Sequence, residues 1–145
     1  MTSELSAEIH YYPPGKHPEG RIFRNDRSDH LLALECPWAY LGTLRFSLLS
    51  NPRPHCYLEL LYIPEPYRQS GFATRLLKSF NGYLQSNNLF GLLLNQISDS
   101  HPARKIYERN GWEPMPDYPG WYNFNTTVCP NVRLLQKAIK KLRGS

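Results

Sequence analysis

Arg68, Gly71 and Ala73 stand where an apolar, strand-like run gives way to helical spacing, in the stretch RQSGFATRLL from Arg68 to Leu77. The first turn of a helix has no internal acceptors for its N–H groups, and its dipole is positive there. Gly71 has no side chain and Ala73 is nearly as small, so an anion can approach the backbone. Arg68 and Arg75 add positive charge on either side. Such a turn suits a phosphate or pyrophosphate. The same glycine also reads as a plain turn residue with free φ. The elements on either side decide between the two.

Before the turn, HCYLELLYI predicts a strand from Cys56 to Ile63. Tyr57, Glu59, Leu61 and Ile63 share one face, and Leu58, Leu60 and Tyr62 the other. Pro64 and Pro66 end it. After the turn, Ala73, Leu76, Leu77, Phe80 and Leu84 recur at helical spacing until Asn87-Asn88. Phe90 to Ile97 is a continuous apolar run, as in a strand buried on both faces. Pro102 opens a short helix with Ala103, Ile106 and Tyr107 inward, ended at Asn110-Gly111. Gly120 to Thr126 predicts a strand. Asn131 caps a last amphipathic helix built on Leu135, Ala138, Ile139 and Leu142. Upstream, Ser6–Tyr12, Leu31–Glu35 and Ala39–Leu48 predict strands, with a bulge at Gly42. Gly15 to Ser28 reads as an irregular loop. The order predicts an α+β fold: a mixed, mostly antiparallel sheet with one right-handed crossover helix.

The 145 residues fit one domain, 1–145, and 41% apolar with 20% charged residues is ordinary globular composition. No apolar run is long enough to span a bilayer, and no secretory leader is visible. Three cysteines without metal-ligand spacing argue against a disulfide framework and against a zinc site. Cytoplasmic residence and the absence of a metal are the resulting expectations. The net charge is +5, and the five basic residues after Asp117 (Arg133, Lys137, Lys140, Lys141, Arg143) equal that excess. A broad nucleic-acid footprint needs basic residues over the body as well.

LYIPEPYRQSGFATRLL resembles the acyl-CoA pyrophosphate loop of the GNAT superfamily of N-acyltransferases. That pattern, Gln or Arg, two residues, Gly, one residue, Gly or Ala, is met by Arg68, Gly71 and Ala73. SHPARKIYERNGW resembles the family's next signature through Ala103, Ile106, Tyr107, Gly111 and Trp112, with Ser100 where the family commonly has Asn. One helix and one buried strand separate the two, as in the family. The resemblance covers about Leu41 to Trp112. It implies a GNAT-like fold in which Pro13 to Ser28 is too short and proline-rich for the family's two N-terminal helices.

The resemblance further implies acetyl-CoA as co-substrate and an amine of a small molecule or protein as acceptor. The backbone N–H groups of Gln69, Ser70, Gly71, Phe72 and Ala73 would hold the pyrophosphate, with Arg68, Thr74, Ser100 and Ala103 also binding the cofactor. The backbone of Leu61, Tyr62 and Ile63 would pair with the pantetheine arm. Tyr107 matches the tyrosine that protonates the departing thiolate; its other reading is an apolar contact on the helix face. Glu59 would accept the amine proton, directly or through water, or else position the acceptor. His55, His101 and Asp99 are alternatives for proton chemistry. Trp38, Tyr40, Tyr57 and Tyr62 are candidates for an acceptor wall or for core. A tRNA-directed acetyltransferase, supported by the basic tail, and a non-catalytic acyl-CoA-binding module are the competing functions. No membrane partner is expected, and either a monomer or a homodimer fits.

Overall fold

The period-2 runs become strands and the helically spaced runs become helices in the computed structural model, which describes residues 7–16, 30–95, 102–125 and 132–144. In chain order these are β1 (Glu8–Tyr12), β2 (His30–Cys36), β3 (Ala39–Leu49), β4 (His55–Tyr62), α1 (Phe72–Ser86), β5 (Phe90–Leu94), α2 (Pro102–Arg109), β6 (Glu113–Pro114), β7 (Trp121–Phe124) and α3 (Val132–Gly144). A 3-10 turn, Glu65–Tyr67, joins β4 to the loop before α1. The strands form one seven-stranded mixed sheet in the order β1-β2-β3-β4-β5-β7-β6. β4 and β5 are parallel, joined through α1; β1–β2, β2–β3, β5–β7 and β6–β7 are antiparallel. This is the α+β architecture expected from the sequence, with β6 as an addition too short to show a period.

Two compact units divide the chain, Met1–Ser47 with Glu59–Phe80, and Leu48–Leu58 with Asn81–Ser145. In the first, β3 carries Leu44 and Phe46 toward α1, and Phe46 meets Phe80 at 4.8 Å between ring centroids. Leu76 and Leu77 are fully buried there. The β2–β3 register shifts between Leu34 and Glu35, opposite Leu41 and Gly42, within a residue of the expected bulge. A Cβ on Gly42 would collide with Ile63 and come within 3.1 Å of Leu76. Glycine there lets the helix and the end of β4 approach β3.

In the second unit β5 is buried on both faces, which explains its unbroken apolar run. Phe90 and Leu92 pack with Trp121 and with Leu135, Ala138 and Ile139 of α3. On the other face, a Cβ on Gly91 would press on Trp112 at 2.7 Å and Leu84 at 2.9 Å. Regular pairing of β5 ends at Leu94, earlier than the Ile97 expected from hydropathy; Asn95 N–H turns instead to the Gly120 carbonyl at 2.7 Å. The expected cap Asn131, the loop segment 17–29 and residues 96–101 lie outside the described residues.

Candidate active site

The first unit holds the turn that opens α1. Pro64 stops β4, and Tyr67 and Arg68 N–H close the 3-10 turn on Pro64 and Glu65 carbonyls at 2.9 and 3.2 Å. The chain then takes left-handed φ at Gln69 (66°) and Gly71 (81°). Arg75 N–H makes the first helical bond, to the Gly71 carbonyl at 3.1 Å. Among the described residues, no N–H from Gln69 to Thr74 meets a backbone acceptor outside regular structure. Arg68, Gln69, Ser70 and Gly71 are exposed. A Cβ on Gly71 would meet nothing within 4 Å, so φ requires the glycine while the space above it stays open. The plain turn role of Gly71 is met by its φ, and the open space above it is compatible with the expected anion cradle.

The two arginines separate. Arg68 Nε donates to the Ile63 carbonyl at 2.7 Å, and its guanidinium lies 5.8 Å from the Tyr62 ring centroid. Arg75 instead donates to the Ala7 carbonyl at 3.2 Å, at the start of β1. Thr74, Ala73 and Phe72 are half-buried in the first turn of α1.

Glu59 projects from β4 toward β3. It accepts a hydrogen bond from Ser47 Oγ and pairs with Arg45 Nε at 3.3 Å. Leu61 follows two residues on. Ile63 departs from the expected face: it reaches the side of β3 that carries Gly42 and faces Leu76, opposite to Arg45 and Ser47. The reason is that β4 ends at Tyr62, so alternation stops one residue short. Tyr62 is exposed.

The second unit holds Tyr107, in the last turn of α2. Gly111 (φ 90°) closes that helix as a Schellman cap: Trp112 N–H bonds the Tyr107 carbonyl at 3.1 Å and Gly111 N–H the Glu108 carbonyl at 3.4 Å. The apolar contact that accompanies such a cap is Trp112 against Tyr107, 6.5 Å between centroids, with Tyr122 on another side at 6.1 Å. Trp112 is fixed in turn by Asn81 of α1, whose Oδ1 accepts from the indole N–H at 2.9 Å and whose Nδ2 donates to the Asn110 carbonyl at 3.0 Å. Burial, aided by the neighbouring Tyr122, pushes the Tyr107 phenol up to about 12. It therefore stays protonated at neutral pH.

Other candidates fall away from proton chemistry. His55 is buried and stacked on Phe90 at 4.8 Å, its Nδ1–H donating to the Arg53 carbonyl at 2.6 Å, and burial lowers its pKa. Burial pushes the Cys56 thiol up to about 12, which leaves no thiolate to act as nucleophile. Tyr57 packs against Trp121 at 6.0 Å, while Trp38 stands exposed in the β2–β3 turn. Tyr40 is half-buried on β3, opposite Glu35. Ser100, His101 and Asp99 lie outside the described residues, as does the Ala103 side chain; the Ala103 backbone is in α2. The sequence reading missed Arg45, Ser47, Asn81 and Tyr122. A polar residue alternating within an apolar strand, as in LRFS, was the available signal for the first two.

The profile of the Acetyltransferase (GNAT) family matches residues 2–112. No curated protein matches the chain in sequence. Solved structures that resemble it include a GNAT-family protein from Desulfovibrio desulfuricans (TM-score 0.54, 15% identity, 66% of this chain and 65% of that one). Another is AtaTR bound with AcCoA (0.56, 13%, 69% and 69%). A third is an Arabidopsis thaliana protein in complex with the bisubstrate analogue CoA-Ac-MVNAL (0.54, 19%, 64% and 69%). The chain spans about two thirds of the length of these structures, and at such identities the likeness is one of fold.

Proposed function

This chain belongs to the Acetyltransferase (GNAT) family, and on that premise we propose that it transfers an acetyl group from acetyl-CoA to an amine. The observation that carries the proposal is the run of backbone donors from Gln69 to Thr74 over an open Gly71, set between the end of β4 and the start of α1. Dipole, donors and the Arg68 charge all suit a pyrophosphate there. Two of the neighbours above are described with AcCoA or a CoA analogue. The backbone from Leu61 to Ile63, at and just beyond the end of β4, takes the pantetheine arm, with Arg68 giving up the Ile63 carbonyl as the arm arrives.

In the reaction the neutral amine attacks the thioester carbon. A C–N bond forms, the C–S bond breaks, the amine loses a proton to Glu59, and the thiolate gains one from Tyr107. A phenol with a pKa of about 12 is protonated when the thiolate leaves, and solvent reprotonates it afterwards. The enzyme acts as a single catalytic domain in the cytoplasm. Its acceptor class includes peptide N-termini, since one neighbour carries a peptide-based bisubstrate analogue.

The test is thiol release from acetyl-CoA across primary amines, peptides including MVNAL, and charged tRNAs. Acceptor-dependent release is expected. Tight CoA binding with no release on any acceptor identifies a non-catalytic binding module instead.

A further inference from the structure

Glu59 is held from the neighbouring strand at both oxygens. Ser47 Oγ donates to Oε2. Arg45 Nε lies 3.3 Å from Oε1, an ion pair by distance whose N–H is not aligned as a hydrogen bond. Arg45 and Ser47 are two residues apart on β3, so they share a face, and Leu31, paired with Arg45 across β2, is fully buried. The Arg45 and Glu59 side chains are only 20% and 23% exposed. Charges placed this far from water need partners, and these two supply each other.

The arrangement has a directional consequence. A glutamate has three side-chain torsions and samples many orientations unless something holds it. A carboxylate offers about four lone-pair positions, two per oxygen. Ser47 holds one oxygen and Arg45 the other, so between them they fix the direction of the carboxylate.

We propose that Arg45 and Ser47 are positioning residues that act on acetyl transfer through the direction they impose on the Glu59 carboxylate. The inference rests on the reading of Glu59 as the acceptor of the amine proton. The rival is a strut between β3 and β4 that supports stability alone. A strut, once removed, lowers the melting temperature and leaves kcat per folded molecule unchanged. A positioning pair, once removed, lowers kcat only as long as Glu59 is present.

A double-mutant cycle on the full chain separates them. Ser47→Ala and Arg45→Gln are each made in the parent and in Glu59→Gln. Steady-state turnover is measured with acetyl-CoA and whichever amine, peptide or charged tRNA of the panel turns over fastest. CoA affinity is measured by calorimetric titration on every variant. In the parent, each change is expected to lower kcat by about tenfold, with KM for acetyl-CoA and CoA affinity within about twofold. In the Glu59→Gln background neither is expected to lower kcat further. Arg45→Lys, which keeps the charge, is expected to recover part of the loss. Losses that multiply with that of Glu59→Gln, or that appear in CoA affinity rather than kcat, overturn the inference. Should Arg45→Gln fail to fold, Ser47→Ala carries the cycle alone, since it removes one hydroxyl. A Glu59→Gln variant with parental kcat overturns the proton-acceptor reading and this inference with it. A parent without turnover on any acceptor overturns the proposed function itself.

Discussion

Gly71 has open space above it and a φ of 81°, so a side chain there costs backbone strain, not packing. Gly71→Glu also puts a carboxylate where the pyrophosphate is to lie. CoA affinity is expected to fall at least tenfold, about 1.4 kcal/mol, by calorimetric titration. Gly71→Ala carries the same strain, roughly 1–2 kcal/mol of stability, without the charge, and should lose less affinity. Unchanged CoA binding in the glutamate variant removes the cradle assignment. Tyr107→Phe keeps the ring contacts with Trp112 and Tyr122 and deletes the proton. Turnover should drop roughly 10²-fold with CoA affinity unchanged; a drop of only a few-fold means that water protonates the thiolate. His55 supplies a stability test. Burial lowers its pKa, so between the folded value and about 6.5 the unfolded chain binds the proton that the folded chain refuses. Stability therefore falls as pH drops below about 6.5 and levels off once the folded histidine also protonates. In urea titrations at pH 7.5 and 5.5, His55→Gln should lose less stability than the parent over that interval. An equal loss shows that the ring is not the titrating group.

Among the elements, α3 shows how one helix serves a core while carrying charge. Leu135, Ala138 and Ile139 are buried against β5 and β7. Lys137, Lys140, Lys141 and Arg143 are exposed, and Arg143 lies over the Tyr118 ring at 5.7 Å. Such a face is ordinarily a solvated one. Changing those four residues to Gln is expected to leave CoA affinity untouched, and the parent is expected not to retain tRNA in low-salt filter binding. Should tRNA bind, counterion release requires a steep salt dependence, and the four changes should flatten that slope. α2 shows the opposite economy: eight residues, too short to be stable alone, are held by a glycine cap and by Asn81 reaching from α1.

At the scale of the molecule, a ligand that binds only the folded chain stabilises it by mass action. At about 100 times its dissociation constant, CoA should add about 2.7 kcal/mol. The midpoint of urea unfolding should rise accordingly. The proposed function requires that this shift shrink in Gly71→Glu, to about 1.4 kcal/mol or less for a tenfold or greater loss of affinity, and survive in Tyr107→Phe. A shift kept in Gly71→Glu places the ligand elsewhere on the chain. Among the described residues no helix is long and apolar enough to cross a membrane.

The order of elements and the tight turn that opens α1 were legible in the sequence because both are local. Strand and helix periods are written in consecutive residues, and the donors of a helix's first turn are unsatisfied wherever a turn precedes it. Arg68, Gly71 and Ala73 thus announced their place without a fold. Only the tertiary structure decided the partners. Asn81 and Trp112 are 31 residues apart and Arg75 and Ala7 68, with no pattern to join them. Glu59 was visible as a carboxylate in a strand, but its clamp by Arg45 and Ser47 depends on which residues β3 sets beside it. Ile63 left its expected face because β4 ends one residue early, and pairing decides that ending. Hydrogen bonds and ion pairs between distant residues follow from register and approach, which spacing along one strand does not encode.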